Sequence, residues 1–281
     1  MSDIKITTDS TCDLSEDLLK KYNIRTTPLY INIEDKSYKD GIEIRPADIF
    51  KYADQTGKLP KTASVSVQEY IDVFSQYAND SQAVIHINIG SQFSSCFQNA
   101  YIAARNFENV FVVDSENLST GTGHIAIQAA AMAQEGRKPQ EIVDRVKELI
   151  PRIETSFVID TLDYLHMGGR CSSVAALGAN LLNIKPCIEV RDGSMHVGKK
   201  YRGNIDKCIE KYVTDRLKNR KDIVPERLFI TYAECSADIV EKTKQLIRQY
   251  YDFAEIIETI TSCTISSHCG PGTLGLVFIR K

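Results

Sequence analysis

The sequence predicts an α/β fold of two domains, an N-terminal one with a mostly parallel, Rossmann-like sheet and a C-terminal one with a mixed or antiparallel sheet. In the first half of the chain, apolar runs alternate with helical patterns, which is typical of parallel strands covered by helices on both faces. Later, two apolar runs flank Asp192-Gly193, a dipeptide common in hairpin turns. A length of 281 residues also favours two domains. The change of pattern after Pro151 predicts domains over residues 1–152 and 153–281.

The composition argues against several classes of function. A formal charge of −3 does not suit a nucleic-acid-binding protein, which carries a basic excess on one face. No apolar run approaches the roughly 20 residues that a membrane span needs, and the first residues lack the apolar core of a signal peptide, so we expect a soluble protein of the cytoplasm. The eight cysteines form no C-x-x-C pair, which favours reduced, mostly buried thiols over disulfides or a metal site.

Apolar spacing and capping residues assign the elements of the first half. Ser15 caps a helix after the first strand, Pro28 interrupts the second strand, and Ser66 with Glu69 matches a capping box. The predicted strands are residues 4–8, 24–33, 83–89 and 109–113. The predicted helices are 15–22, 46–53, 67–77, a helix that follows the turn over 90–96 and runs through 104, 125–133 and 139–149.

The second half carries shorter, antiparallel-type strands and a few helices. The predicted strands are 157–160, 186–190, 195–201, 228–233, 256–260 and 273–279, and the helices are 173–182, 205–217 and 237–250. A short helix is expected to end on Gly168-Gly169, because glycine takes the left-handed conformation that closes a helix. His268 is expected in a tight loop before Gly270-Pro-Gly, where its ring is presented to a ligand.

Arg170 is the first candidate for a binding residue. It leaves the corner that the two glycines make, so its guanidinium is a positioned cation. Such a group suits a carboxylate or a phosphate, which it can grip through two parallel hydrogen bonds. The alternative is an arginine that only ties down the end of its own helix. Partners converging from elsewhere in the chain would decide between the two.

Ser94 and Ser95 stand where a predicted strand turns into a helix. Backbone N–H groups at a helix start, with the positive end of the helix dipole behind them, bind phosphate or carboxylate readily. The alternative is that Ser94 is a plain N-cap. Asp9, Ser94 and Asp114 follow parallel strands and are expected to share the carboxyl edge of the sheet, where ligands bind in such folds.

Thr62 and His268 complete the candidate set. Ser66 has a structural duty in the capping box, whereas Thr62 and Ser64 have no such local duty. A loop histidine such as His268 is, however, often plain surface. The remaining histidines show no metal spacing and are expected to be structural or exposed. They are His86, His124, His166 and His196.

Several motifs together resemble those of the DegV family over the whole chain. They are Thr62-Ala-Ser64 before a helix, Ser94-Ser95, Leu162-Asp-Tyr-Leu-His-Met-Gly-Gly-Arg170, His268-Cys-Gly-Pro-Gly272, the early Asp9-Ser10-Thr11 and Asp114-Ser115. The resemblance implies a two-domain α/β fold with a single long-chain fatty acid buried between the domains. It implies the role of a fatty-acid-binding subunit of a bacterial fatty acid kinase, which serves phospholipid metabolism.

The resemblance also implies roles for individual residues. Thr62 and Ser94, with Ser95 adjacent, would hold the fatty-acid carboxylate, and Arg170 and His268 would complete the polar network. It implies no catalytic residue, no metal and no cofactor besides the bound fatty acid. The partner would be a separate ATP-using kinase subunit, to which this chain presents the carboxylate for acyl-phosphate formation.

The chain departs from the family pattern at two places. Ser64-Val65 stands where Gln-Pro is usual, and Ser95 stands where a glycine is usual. A serine side chain at the second place could narrow the approach of the backbone to a carboxylate. The geometry around the headgroup is therefore less closely implied than the fold.

Two other functions stay open at this point. A small-molecule kinase or acyl transferase would use His268 as base or covalent anchor and Ser94 or Cys96 as nucleophile. Against it, the chain has neither Gly-x-x-x-x-Gly-Lys-Ser/Thr nor Gly-x-Ser-x-Gly. The other is a pure protein-interaction module with no ligand. Apolar helical patterns do not single out the residues around an acyl tail, so those stay unassigned.

Overall fold

The computed structural model describes residues 4–171 and 184–281. The strands are β1 (Ile4–Asp9), β2 (Arg25–Thr27), β3 (Tyr30–Ile33), β4 (Lys36–Lys39), β5 (Lys61–Ala63), β6 (Ala83–Asn88), β7 (Val110–Asp114), β8 (Ile153–Val158), β9 (Ile184–Arg191), β10 (Ser194–Arg202), β11 (Ile223–Ala233), β12 (Glu255–Ile260) and β13 (Thr273–Arg280). The helices are α1 (Glu16–Lys21), α2 (Pro46–Thr56), α3 (Val67–Ala78), α4 (Cys96–Ala104), α5 (Thr120–Gln134), α6 (Pro139–Leu149), α7 (Asp163–Gly168), α8 (Ile205–Leu217), α9 (Ala237–Tyr250) and α10 (Cys263–Cys269). The predicted helix over 173–182 lies outside the described residues. None of the described helices has the length and apolar character to cross a membrane.

The first half forms a parallel sheet in the order β2-β1-β6-β7, as predicted. Every residue of β1 and β6 is buried because helices cover both faces. Ile85 of β6 packs in the apolar cluster that contains α5, whereas its neighbour Val84 packs with α3 and α4. This alternation shows that successive side chains of one central strand serve two separate layers of core.

The second half forms a six-stranded mixed sheet in the order β10-β9-β8-β13-β11-β12, which confirms the second part of the predicted fold class. Neighbouring strands are antiparallel except β11 and β12. The predicted hairpin joins β9 to β10, and Asp192 and Gly193 have φ angles of 49° and 72°, as a tight hairpin turn requires. The strand predicted from residue 157 begins four residues earlier, at Ile153. The charged Glu154 is accommodated in it because it pairs at 2.9 Å with Arg220, which lies just after α8. A local pattern does not reveal such a tertiary ion pair.

A third, small sheet was not predicted. It has the antiparallel order β4-β3-β5. The run over 24–33, expected as one interrupted strand, divides at Pro28 into two strands of different sheets: β2 joins the parallel sheet, and β3 is the centre of the small one. Proline removes a ladder donor and fixes φ, so the chain leaves one sheet there and enters the other.

Helix α5 lies between the two large sheets and packs against β1, β6, β8 and β13. It begins at Thr120, five residues before the predicted start, and takes in both Gly121 and Gly123. Glycine is a poor helix former, but here it permits close approach. A Cβ on Gly121 would lie 2.6 Å from the Thr155 hydroxyl, and one on Gly123 would lie 2.5 Å from the Cys12 carbonyl oxygen. Packing therefore overrides helix propensity in this turn.

The apolar core runs continuously from the parallel sheet to the mixed sheet. One cluster joins Ile85 and Ile125 to Phe229 and Val277 of the second half. Another joins Phe74 and Ile89 of the first half to Phe157 and Ile188 of the second half. The two halves thus share a buried seam, and the candidate residues gather at one end of that seam.

Candidate functional site

His268 lies in the last turn of α10, and the prediction of a tight loop was wrong. The sequence Cys-Thr-Ile-Ser-Ser-His-Cys is rich in residues of low helix propensity. The helix forms because Ser262 caps its start by accepting from the Ile265 N–H at 3.4 Å, and because side chains of the first half accept from its first backbone N–H groups. Gly270, with φ 79°, ends it.

The ring of His268 is held between the two halves. Its Nε2 lies 3.0 Å from the hydroxyl oxygen of Thr62 in β5. Its Nδ1 has no hydrogen-bond partner among the described residues and faces Gly168. A Cβ on Gly168 would lie 2.3 Å from Nδ1, so only glycine leaves room for the ring in this place. The first glycine of the pair is therefore explained by the histidine, and the second, Gly169 with φ 65°, by the helix end.

Burial and the nearby positive charge of Arg170 lower the pKa of His268 from 6.5 to about 4. The ring is therefore neutral near pH 7. A neutral imidazole carries one N–H. With the proton on Nε2, the ring donates to Thr62, and the hydroxyl hydrogen of Thr62 is then available to a ligand.

Arg170 is exposed and follows the end of α7. The sequence left open whether it binds a ligand or ties down its own helix end, and its contacts fit both roles. Its Nη1 donates to the Gly168 carbonyl oxygen at 2.8 Å, which ties the helix end. Its Nε donates to the Phe93 carbonyl oxygen at 3.5 Å, in the turn that precedes Ser94. The side chain thereby reaches from the second half to the turn at the edge of the parallel sheet.

Ser94 and Ser95 lie at the start of α4. Ser94 Oγ accepts from the Cys96 N–H at 3.2 Å and lies 3.1 Å from Cys96 Sγ, so it has the local capping contact of the plainer interpretation. It is half-buried, whereas Ser95 is exposed and its side chain makes no capping contact. Ser94 also borders the cleft between the two halves that is described next, so its capping contact does not exclude it as a candidate binding residue.

All five candidate residues line one cleft of about 280 Å³ between the two halves. Thr62, Ser94 and Ser95 come from the first half, and Arg170 and His268 from the second. Hydroxyls, a guanidinium and an imidazole therefore face the same space. The other residues of its wall are Leu29, Ala63, Ser64, Ile89, Phe93, Leu118, Met195, Thr264 and Ile265.

A smaller cavity of about 30 Å³ lies beside the cleft, and Leu118 and Ile265 belong to both walls. Most hydroxyls around it are bonded to the protein: Ser156 Oγ lies 2.8 Å from the Tyr212 hydroxyl oxygen, and the Thr155 hydroxyl is an exception, with no partner in the described part of the chain. The full wall consists of Leu118, Ser119, Thr155, Ser156, Phe157, Thr231, Thr261, Ile265, Cys269, Thr273, Gly275 and Val277. It lies beside the cleft, between the mixed sheet, the residues just before α5, and α10.

Asp9 and Asp114 lie at the carboxyl edge of the parallel sheet, yet both bind the chain itself. Asp9 is fully buried and accepts from the Tyr70 hydroxyl at 2.7 Å and the Ile89 N–H at 2.9 Å. Asp114 accepts from the Ser91 N–H at 3.1 Å. The two carboxylates fix the turn that leads to Ser94 and so help to position this part of the cleft wall.

The apolar wall is the part of the site that sequence reasoning left unassigned. Leu29, Leu118 and Met195 come from three distant stretches, and none belongs to a periodic pattern that points to a ligand. Ser64 also borders the cleft. The sequence offered one indication of this, because Ser64, unlike Ser66, has no capping role that would explain its hydroxyl. In residues 4–171 and 184–281, no group of His, Cys, Asp and Glu side chains is arranged to hold a metal ion.

Comparisons with known proteins match the whole chain. A family model described as an uncharacterised protein of the DegV family matches residues 3–281. A DegV domain-containing protein of Caldanaerobacter subterraneus subsp. tengcongensis is 35% identical over 283 residues, which cover 100% of both chains.

Solved structures give the same result for the fold. A DegV family protein from Thermus thermophilus, described for its fatty acid binding, superposes with a TM-score of 0.90 at 28% identity, over 99% of this chain and 100% of that one. A protein from Thermotoga maritima, described as revealing a fatty acid binding function, has a TM-score of 0.86 at 26% identity, over 100% of both chains.

Proposed function

This chain belongs to the DegV family, and on that premise we propose that it binds one long-chain fatty acid and presents the carboxylate to a separate, ATP-using fatty acid kinase subunit. The observation that carries the proposal is the cleft: polar groups from both halves of the chain converge at its mouth, and an apolar cavity continues behind it. This combination of a polar end and an apolar interior suits an amphiphile with an anionic head.

The headgroup is assigned to Thr62, Ser94, Ser95, Arg170 and His268. A carboxylate leaving water is costly unless hydrogen bonds and an opposite charge replace the water. Here the hydroxyls supply donors, and the guanidinium supplies both charge and donors. The neutral imidazole supports the Thr62 hydroxyl through the 3.0 Å contact, which leaves that hydroxyl free to donate to the carboxylate.

The acyl tail is assigned to the apolar wall and to the cavity past Leu118 and Ile265. Burial of about 14 methylene groups at roughly 0.8 kcal/mol each offers on the order of 11 kcal/mol before the costs of association and ordering are subtracted. The cavities beside these residues must widen to admit a whole tail, since about 30 Å³ holds little more than one small group. Side chains such as Leu118 and Met195 therefore move when the ligand enters.

The kinase partner is proposed because the head must be reached by a phosphoryl donor. Arg170 is exposed at the mouth, so the carboxylate beside it would be accessible to a second protein while the tail stays inside. No phosphate-binding Gly-x-x-x-x-Gly-Lys-Ser/Thr sequence is present in the 281 residues. Because ATP is a cytoplasmic substrate, the proposal also places the protein in the cytoplasm.

The geometry gives little support to the enzyme alternative. Burial raises the pKa of the Cys96 thiol to about 12, which keeps it protonated and poorly nucleophilic. The Ser94 hydroxyl contacts Cys96, and the ring of His268 contacts Thr62. Nucleophile and base are thus not paired with each other in the described part of the chain, as that mechanism would need.

Native mass spectrometry of the purified protein tests the ligand class directly. A single co-purified fatty acid supports the proposal, and a protein that neither carries nor takes up any fatty acid contradicts it. A second assay incubates protein, ATP and fatty acid with and without a fatty acid kinase subunit. Acyl phosphate formed only with the subunit supports the carrier role, whereas turnover by this chain alone would establish the enzyme alternative.

A further inference from the structure

We propose that Asp40, a buried carboxylate that is not itself part of the cleft wall, is a positioning residue that sets the place of His268 by gripping the opposite end of α10. The inference rests on the proposed function for its consequence in binding, but the grip itself is a property of the empty protein. This proposal gives the small sheet β4-β3-β5 a second role. The sheet not only contributes Thr62 to the cleft but also positions α10.

The grip consists of short contacts to the first backbone groups of α10. Asp40 is 2% exposed. Its Oδ1 accepts from the Cys263 N–H at 2.8 Å, and its Oδ2 accepts from the Thr264 N–H at 3.0 Å and from the Thr264 hydroxyl at 2.6 Å. Ser10 adds a fourth donor at 3.3 Å. One carboxylate therefore satisfies two of the N–H groups that a helix start leaves without partners.

A second carboxylate completes the start of the helix. Asp13 accepts from the Ser262 N–H at 2.7 Å and from the Ser119 hydroxyl at 2.5 Å. With the Ser262 cap, the N–H groups of residues 262–265 all have partners. A helix of seven residues with low propensity is marginal by itself. The first half of the chain therefore determines whether α10 exists and where it lies.

The small sheet holds both ends of α10. Asp40 directly follows β4 and grips the start, and Thr62 lies in β5 and contacts His268 in the last turn. β3 pairs with both strands, so the two contacts are fixed relative to one another by one hydrogen-bonded sheet. If the grip at the start is lost, the helix can shift or fray, and the ring of His268 moves away from Thr62.

The key variant is Asp40→Asn. The amide nitrogen is a donor, so it cannot accept from the N–H that one carboxylate oxygen now serves. We expect a folded protein in which fatty-acid affinity and kinase-dependent phosphorylation both fall about tenfold or more, as for the loss of a hydrogen bond to a charged group. Asp80→Asn, on an exposed aspartate, is the matched control and should behave as the parent does.

A spectroscopic readout in the ligand-free protein separates positioning from general destabilisation. In the parent, burial and Arg170 hold the pKa of His268 at about 4, so its NMR signals should not titrate above about pH 5. In Asp40→Asn the ring should leave its place and titrate nearer its ordinary value of about 6.5. A folded Asp40→Asn protein whose His268 signals and titration match the parent would overturn the proposal.

A second pair of variants covers the case in which Asp40→Asn does not fold. Thr264→Val removes the hydroxyl that donates to Asp40, and Thr264→Ser keeps it. Since Thr264 also borders the cleft, the comparison uses the His268 signals alone. The valine variant should shift them and the serine variant should restore them; identical spectra would overturn the proposal. If no fatty acid binds but these signals respond, the proposed function fails and the positioning role stands.

Discussion

Two histidines of this protein each contact a threonine hydroxyl, yet one belongs to the core and the other to the cleft. His86 Nδ1 lies 2.8 Å from Thr7 Oγ1, and His268 Nε2 lies 3.0 Å from Thr62 Oγ1. The difference is at the second ring nitrogen. In His86 it faces the buried Asp9 carboxylate at 3.4 Å. In His268 it faces a glycine, and the ring borders a cleft beside an arginine.

The surroundings of the two rings explain why a sequence pattern does not separate them. His86 lies on a central strand, where Tyr70 and Phe74 pack edge-on against it with ring centroids 5.2 and 5.4 Å away. His124 is a third case: both of its nitrogens lack a hydrogen-bond partner among the described residues, and it packs against Phe229 away from the cleft wall. A histidine nitrogen without a hydrogen-bond partner thus indicates a candidate site only where the ring borders a cavity and where a nearby charged group could bind a ligand of opposite charge.

The largest expected effect comes from removing each ring. His86→Ala should lower the free energy of unfolding by roughly 3 kcal/mol or more, since it opens a cavity in the core and leaves Asp9 without its neighbour. His268→Ala removes a half-buried ring that borders a cleft, so it should lower that free energy by less than His86→Ala does and should instead impair kinase-dependent phosphorylation. Urea unfolding of both variants makes the measurement. If the two substitutions lowered the free energy of unfolding equally, His268 would be a core residue like His86, and the distinction between the two histidines would be wrong.

The next effect comes from the two threonines. Thr62→Val should weaken fatty-acid binding by roughly 1.5 to 3 kcal/mol, because the carboxylate loses a charge-assisted hydrogen bond. Thr7→Val, its matched control in the parallel sheet, should cost roughly 1 kcal/mol of folding stability and leave affinity unchanged. Fatty-acid titration and urea unfolding of both variants give the two quantities. A Thr62→Val protein with parental affinity would show that the carboxylate binds elsewhere.

Gly168 gives a smaller and more specific effect. A Cβ there would lie 2.3 Å from His268 Nδ1, so Gly168→Ala should displace the ring and weaken fatty-acid binding about tenfold. The control is a double-mutant cycle. In a His268→Ala background the added methyl group has no ring to meet, so Gly168→Ala should cause little further loss. An equal loss in both backgrounds would mean that the glycine serves the helix end and not the histidine.

Sequence patterns predicted those parts of the fold whose cause is local. The turn at Asp192-Gly193, the capping box of Ser66 with Glu69 and the helix end at Gly169 all appear in the structure because neighbouring residues determine them. The long alternation of strands and helices likewise predicted the parallel sheet.

The parts that depend on distant contacts were not predictable in this way. Helix α10 needs carboxylates more than 200 residues earlier in the chain, as in the pair formed by Asp40 and Thr264. The small sheet exists because Pro28 diverts the chain, although a proline by itself does not say where the chain goes. Resemblance to a family predicted that His268 belongs to the site, and in the structure it lines the same cleft as the other candidates. Its local sequence predicted a loop, which was wrong.

The smallest effect expected is a pH dependence that only the cleft histidine should show. The pKa of His268 in the empty cleft is about 4, lowered by burial and by Arg170. A bound carboxylate places a negative charge beside the ring and raises this pKa. At pH values between about 4 and the pKa of His268 in the complex, the ring therefore carries a proton in the complex that it has lost in the empty protein. Binding takes up that proton, so affinity must fall as pH rises through this window.

The measurement is the dissociation constant of a fatty acid between about pH 5.5 and pH 8, in the parent and in His268→Gln. The parent should weaken as pH rises, by at most about tenfold per unit for one proton, and the glutamine variant should be flat. Asp13, whose pKa burial raises to about 7, titrates in both proteins and cancels from the difference. Equal slopes in the two proteins would assign the proton to another group, and His268 would then act on the carboxylate through Thr62 alone.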